Sequence, residues 1–410
     1  MHLNEVKQLL RVARPPTPYG RRLARAFSVE DLARLARRRL PAGVFGYLDG
    51  GGEGEVTLRR NRAAFEQLEL VPHVLRDVSS IELSTKVLGT EMAYPFALAP
   101  IGSLRLLHHE GELATARAAA AAGIPMTLSS SGTCSIEAVA AESLGPRWYQ
   151  LYVWKDRGLC QDLIARAREA GYSALVVTVD TTLRSKRERE LRAGLDLPTP
   201  TLSLASLFDG AAHPDWAWHF LTSEAIRFAN LAPRNAPPSA GMNKMARSFD
   251  GLTTWADLEW IQAAWQGPIA VKGILSVEDA QRAADAGAQG IVVSNHGGRQ
   301  LDYVPAAIEV LPEIADAVGG QVEVLMDGGI RRGSDILIAL ALGARACLIG
   351  RAHVYGLAAG GEGGVRAAID FLASELRTAM GLSGLSSLAS IDRGCVRWRQ
   401  RVGVPEGARR

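Results

Sequence analysis

From residue 95 onward the chain repeats one pattern: a short apolar run, a polar or glycine-bearing loop, then a stretch rich in Ala and Leu with the spacing of an amphipathic helix. The apolar runs are 95–100, 125–129, 148–153, 174–180, 269–272, 291–294, 322–327 and 346–350. Each is short enough for a strand buried on both faces, and stretches such as 111–118 and 277–282 between them read as helices. Strand and helix in alternation imply a parallel sheet, and eight such units are what a closed (β/α)₈ barrel, a TIM barrel, requires. An open doubly wound sheet is the alternative arrangement of the same units.

About ninety residues separate the fourth and fifth runs, where a strand–helix–strand unit needs about thirty. An insertion over about 196–250 is therefore expected, rich in Pro, Ser and Ala and holding Trp216, Trp218, His219 and Phe220. Such a segment serves as a lid, a docking surface or a partly ordered loop. Its aromatic cluster would pack on the body or touch a membrane surface.

Ahead of the barrel, residues 1–27 read as a basic, proline-bearing extension, and Ser28 with Asp31 three residues later is a helix start. The arginines that follow (Arg34, Arg37, Arg38, Arg39) read as a solvated face, with a phosphate patch as the alternative. Tyr47 precedes three glycines that permit a sharp reversal. After the eighth run, 356–364 reads as a small-residue turn, 365–380 as a long helix and 393–410 as a basic surface tail. One barrel domain over 28–392 results.

Composition changes this picture little. The 410 residues are 47% hydrophobic and 22% charged, with a formal charge of +3, which gives no argument for nucleic acid as a partner. Four cysteines lie far apart with no paired spacing, so neither a disulfide framework nor a zinc site is expected, and no metal is assigned. No apolar run reaches the length of a membrane span, and nothing near Met1 has the form of a signal peptide. A cytoplasmic location is the expectation.

The chemistry concentrates where barrels keep it, at the carboxyl ends of the strands. The sixth run ends in Ser294-Asn295-His296-Gly297-Gly298-Arg299, where an imidazole able to accept a proton near neutral pH stands three residues from a guanidinium able to grip a carboxylate. Asp180, ending the fourth run, is placed to pair with His296, and Arg187 to join Arg299. Glycines and arginines after the seventh and eighth runs (Asp327, Gly329, Arg331; Gly350, Arg351) suit a phosphate-bearing cofactor. Lys272, at the end of the fifth run, could neutralise charge on a reduced flavin ring or form a Schiff base, so it leaves the class open.

These loops, above all 294–302, 327–333 and 349–351, resemble those of the FMN-dependent L-2-hydroxy acid oxidases and dehydrogenases, and the resemblance runs from about residue 28 to 391. It implies FMN held by Pro100, Ile101, Gly102, Ser129, Gln150, Thr178, Lys272, Ser294, Asp327, Gly329, Arg331, Gly350 and Arg351. It implies a substrate held by Tyr47, Tyr152, Arg187 and Arg299, with His296 as base and Asp180 as its partner. The extension, 213–216 and 257–261 are most similar to bacterial respiratory L-lactate dehydrogenases. That similarity implies lactate oxidation with electrons passed to quinone or cytochrome, peripheral contact with the inner face of the cell membrane, and a homotetramer. Ser131, where many relatives carry a bulky group, and the stretch 181–186 depart from the family pattern and bear on the substrate's side chain. An oxidase of a larger or aromatic 2-hydroxy acid (mandelate or glycolate type) that uses O₂, and a catalytically silent FMN-binding, membrane-docking protein, are the competing readings.

Overall fold

The computed structural model describes residues 22–195, 204–231 and 253–399. Residues 1–21 of the expected extension, 196–203 and 232–250 of the insertion and 400–410 of the tail lie outside these.

Eight parallel strands close into a barrel: β1 (Phe96–Leu98), β2 (Met126–Ser129), β3 (Arg147–Tyr152), β4 (Ala174–Thr178), β5 (Ile269–Ile274), β6 (Gly290–Val293), β7 (Glu323–Asp327) and β8 (Ala346–Ile349). Each pairs with its sequence neighbour and β8 returns to β1, so the sheet has no free edge. All eight runs read from the sequence are strands of this barrel. The interior is packed with small and branched side chains, among them Ala97, Val176, Ala270, Val292 and Leu325, around one large ring, Trp148. The hairpin Thr85–Val87/Thr90–Met92 contributes Val87 and Met92 to the same cluster, and Thr90 accepts a hydrogen bond from Trp148 Nε1 at 3.0 Å. That hairpin closes the amino end of the barrel, leaving the carboxyl ends for chemistry.

The surrounding helices start where short polar side chains can accept from the first free amides: Ser135 from Ala138 (3.1 Å), Asp156 from Leu159 (3.0 Å) and Ser276 from Asp279 (3.1 Å). The first barrel-covering helix, α1 (Val29–Arg39), is capped as expected, with Ser28 Oγ accepting from Asp31 N. Its arginines are not uniformly solvated: Arg39 shares the inner face with Leu32 and Ala36 and donates to the Ala358 carbonyl at 2.8 Å. Heptad spacing from Leu32 turns that one arginine inward.

Two short helices follow, α2 (Ala42–Asp49) and α3 (Val56–Ala63), and they reach over the carboxyl end of the barrel. The expected turn at 356–364 is centred on Gly360 and Gly361, whose non-helical backbone divides the stretch Arg351–Leu382 into two helices. The other glycines there serve close packing: a Cβ on Gly364 would lie 1.9 Å from the Gly356 carbonyl oxygen. Val396–Trp398 pairs antiparallel with Leu68–Leu70, and Arg397 and Arg399 reach Glu69.

Within the insertion, Leu204–Ala211 and Pro214–Thr222 are helices. Trp216 turns in, donating to the Leu106 carbonyl at 2.8 Å, and His219 stacks on His109 with ring centroids 4.0 Å apart. Leu204, Phe208, Trp218 and Leu221 stay exposed.

Candidate active site

Strand register assembles the floor of the site. Ser129 lies beside Gln150, Tyr152 beside Thr178, and Thr178 beside Lys272, so one polar row runs around the carboxyl end of the barrel. Ser129 Oγ donates to Gln150 Oε1 at 2.9 Å. Lys272 Nζ is buried between Ser294 Oγ and Asp327 Oδ2, each at 2.9 Å. Burial alone would pull the Lys272 ammonium down, but Asp327 and Asp180 outweigh it and hold its pKa above the usual value. A permanently charged lysine is a poor imine-forming amine, which counts against the Schiff-base alternative.

The loop after β6 is shaped by backbone conformations most side chains avoid. His296 has φ of 57°, and Gly297 and Gly298 follow at 65° and 72°. At Gly298 a Cβ would meet Leu58 N at 2.6 Å, so α3 itself demands glycine there. The turn aims His296 across the cleft, where Nδ1 meets Asp180 Oδ1 at 3.0 Å. Burial would raise the Asp180 carboxyl, but the imidazole and Lys272 hold it below the ordinary carboxylate range. Asp180 is thus an anion able to stabilise an imidazolium.

Across from His296 stand two guanidiniums and two phenols. Arg299 donates to the carbonyls of Tyr47 (2.8 Å) and Gly50 (2.9 Å) and to Glu190 Oε1 (2.9 Å), with its guanidinium carbon 5.2 Å from the Tyr47 ring centre. Arg187 also lines the cleft, its pKa pushed down to about 10 by burial and the neighbouring Arg299. Tyr47 donates to the Gly102 carbonyl at 3.1 Å, and the Tyr152 hydroxyl is pushed up by burial and by Asp180. The Tyr152 phenol therefore stays protonated near neutral pH.

The loops after β7 and β8 and the backbone of Pro100, Ile101 and Gly102 line the same cleft, which encloses about 1040 Å³ including its open mouth. Arg351 donates to Gly297 O (2.8 Å) and Gly50 O (2.6 Å), while Arg331 lies over the Tyr355 ring. Of the residues named from the sequence, Tyr47, Pro100, Ile101, Gly102, Tyr152, Arg187, Lys272, His296, Arg299, Asp327, Gly329, Arg331, Gly350 and Arg351 line this cleft. Ser129, Gln150, Thr178, Asp180 and Ser294 stand behind that lining, at the ends of the strands.

Buried polar atoms also mark what the cradle is built to hold. Gln150 Nε2, Thr178 Oγ1, Asp327 Oδ1 and Arg351 Nε have no hydrogen-bond partner among the described residues. Each such atom costs about 1–3 kcal/mol if left unpaired, so the site calls for a ligand carrying both donors and acceptors. The imide edge of a flavin with its phosphate fits that set.

Three residues missed in the sequence support the site. Asp302 accepts from Val56 N (3.1 Å) and Thr57 N (2.7 Å), capping α3 from a distant loop. Asn61 exchanges two 2.8 Å amide hydrogen bonds with Asn295. Glu190 lies buried against both Arg187 and Arg299. Asp302 stood within a quoted motif, but nothing in its spacing could announce a partner some 245 residues away.

Fold and cleft together bring a hydrogen-bonded imidazole and carboxylate, two guanidiniums and the glycine-bearing loops after β7 and β8 to the carboxyl end of one barrel. The chain matches the FMN-dependent dehydrogenase family over residues 36–398 and belongs to it. It is 45% identical over 369 residues to an L-lactate dehydrogenase of Caulobacter vibrioides, covering 89% of this chain and 96% of the relative. An L-lactate dehydrogenase of Xanthomonas campestris is 44% identical over 368 residues, covering 89% and 95%. Among solved structures, the monotopic membrane protein (S)-mandelate dehydrogenase superposes with a TM-score of 0.88 at 38% identity, covering 91% of this chain and all of that one. A mandelate oxidase superposes at 0.78 with 43% identity, covering 89% and 97%. The protein is an FMN-dependent enzyme of the 2-hydroxy acid dehydrogenase and oxidase class.

Proposed function

We propose that the enzyme oxidises L-lactate to pyruvate and delivers the electrons to quinone or a cytochrome. The observation that carries this reading is the His296–Asp180 pair facing Arg187, Arg299, Tyr47 and Tyr152 across one cleft. The names of the relatives at 44–45% identity support lactate as the substrate.

In this reading Arg187 and Arg299 take the substrate carboxylate, and the Tyr47 and Tyr152 hydroxyls orient the reacting carbon. His296 accepts the proton of the substrate hydroxyl, and the Asp180 carboxylate steadies the imidazolium. Pro100, Ile101, Gly102, Ser129, Gln150, Thr178, Ser294, Asp327, Gly329, Gly350, Arg331 and Arg351 would hold FMN, and Lys272 would supply positive charge to its reduced form. The flavin supplies the two-electron sink that no amino acid side chain offers. The exposed Leu204, Phe208, Trp218 and Leu221 of the insertion support peripheral contact with the inner face of the cell membrane. No helix among the described residues is long and apolar enough to cross one. A homotetramer is part of the same reading, by family analogy alone.

A larger or aromatic 2-hydroxy acid, oxidised with O₂ as acceptor, is the second reading. Gly102 and Ser131 favour it: both line the cleft, and neither fills it as a larger side chain would. Anaerobic titration of the flavin absorbance with L-lactate and with (S)-mandelate separates the two. Bleaching by lactate at lower concentration is expected, bleaching by mandelate alone selects the second reading, and bleaching by neither overturns both. His296→Ala should keep the flavin and slow its reduction about 10²–10⁴-fold; near-normal reduction would remove His296 from its role.

A further inference from the structure

Among the described residues, Glu190 is the one acidic side chain that meets both the Arg187 and Arg299 guanidiniums. Its Oε1 lies 2.9 Å from Arg299 Nη2 and 3.7 Å from Arg187 Nη1, and its side chain is only 2% exposed. Its second oxygen, Oε2, is buried with no hydrogen-bond partner among the described residues. A carboxylate in this setting is costly to bury unless its charge is used.

Its position in the chain hides it. The short helix Glu188–Arg192 is a run of charges that reads as solvated, and most of it is: Arg192 pairs with Glu188, and Arg189 with Asp49 and Glu55. Glu190 alone turns into the protein. There it stands behind the arginines and does not line the cleft.

Two arginines facing a cleft carry two positive charges, and Glu190 cancels one. The remaining single charge matches one carboxylate. Two further cations act on this pair: Arg351, which donates to the carbonyls of Gly297 and Gly50, and Arg184, which acts on Arg187 but does not line the cleft. Three hydrogen bonds pin Arg299, including the one to Glu190, while the longer 3.7 Å contact leaves Arg187 less tightly held.

We propose that Glu190 is a positioning and charge-selecting residue: it locks Arg299 in place and makes the anion clamp prefer monocarboxylates over dicarboxylates. This rests on the reading that Arg187 and Arg299 hold the substrate carboxylate. A clamp without Glu190 would present two uncancelled charges, and a dianion would gain most from them.

The test compares oxamate with oxalate, which share a shape but carry one and two negative charges. Their binding to the FMN-loaded, full-length enzyme is followed by perturbation of the flavin spectrum, which needs no turnover. In Glu190→Gln the ratio of dissociation constants, oxamate to oxalate, should rise at least tenfold over wild type. Its flavin content should be unchanged, and kcat with the hydroxy acid should fall at least tenfold as Arg299 loses its anchor. Glu190→Asp keeps the charge and draws it back by one methylene, so the wild-type ratio should return while kcat recovers only in part.

A purely structural role would weaken both anions alike, and a ratio within twofold of wild type in the glutamine variant overturns the proposal. If the glutamine variant does not fold, the aspartate variant decides: a preserved ratio with reduced kcat supports the proposal, and a ratio moved toward oxalate overturns it. Failure of the clamp itself is told apart by Arg299→Lys and Arg187→Lys. If neither weakens oxamate in the wild-type background, the carboxylate is held elsewhere and the underlying reading fails, whatever Glu190 does.

Discussion

Asp302 closes the motif that begins at Ser294, yet it touches neither His296 nor the cleft. Its carboxylate accepts two amides at the start of α3 and sits below the ordinary carboxylate range because those amide bonds outweigh the effect of burial. The preceding Glu55 is left-handed and makes no side-chain cap, so Asp302 provides what the local sequence does not. Asp302→Ala should lower stability by about 1–2 kcal/mol, read as a drop in denaturation midpoint, with the flavin still bound. A loss below about 0.3 kcal/mol would mean that water replaces the cap. His296 and Glu190 act at this scale too. A turn of positive φ aims the His296 imidazole across the cleft, and the Glu190 carboxylate lies buried against Arg299 and Arg187.

At the scale of elements, the insertion meets the barrel through a pile of imidazoles. His109 stacks on both His108 (4.4 Å between centroids) and His219 (4.0 Å), with Arg39 and Arg105 close by. Burial, then Arg39 and the two other imidazoles, push His108 down to about 3, and burial with His219 lowers His109. His353, buried against the Ile349 carbonyl, is pushed to about 4. In the unfolded chain these imidazoles take up protons near their ordinary value, whereas the folded protein keeps them neutral. Below pH about 6.5 the unfolded state therefore binds more protons, and stability falls as pH drops toward 3–4. Melting temperature measured from pH 7.5 to 5 should decline, and His109→Asn should flatten that decline. An unchanged slope would mean that the stack carries no linkage.

At the scale of the whole molecule, the barrel is complete in itself, but its carboxyl end is lined with polar atoms awaiting partners. Gln150, Thr178, Asp327 and Arg351 each contribute one such atom, from β3, β4, β7 and the segment after β8. FMN should therefore couple these parts of the barrel into a more stable unit. At one hundred times its dissociation constant it should add about 2.7 kcal/mol, seen as a concentration-dependent rise in melting temperature on adding FMN to flavin-stripped protein. Riboflavin should give a smaller rise, because Arg331 and Arg351 would lack a phosphate to meet. An equal rise from both would take the phosphate role from these arginines.

The order of strands and the loops at their ends were legible in the chain because both are local properties. A buried parallel strand is a short apolar run, and a polar loop bearing His, Arg and glycine can only lie where such a run ends. All eight barrel strands, the meeting of His296, Arg299 and Lys272 in one cleft and the Asp180 contact behind His296 followed from that pattern plus the closure of eight units. What the chain alone did not disclose depends on pairs distant in sequence. Arg39 is buried rather than solvated, Gly356 and Gly364 bring two helices into backbone contact across the turn at Gly360 and Gly361, and Asn61 and Asp302 tie α3 to the loop after β6. Glu190 is the clearest case, because a charge run on a short helix looks solvated until the fold sets one face of it against two arginines. Periodicity records which residues share a face, but only tertiary packing decides what that face meets.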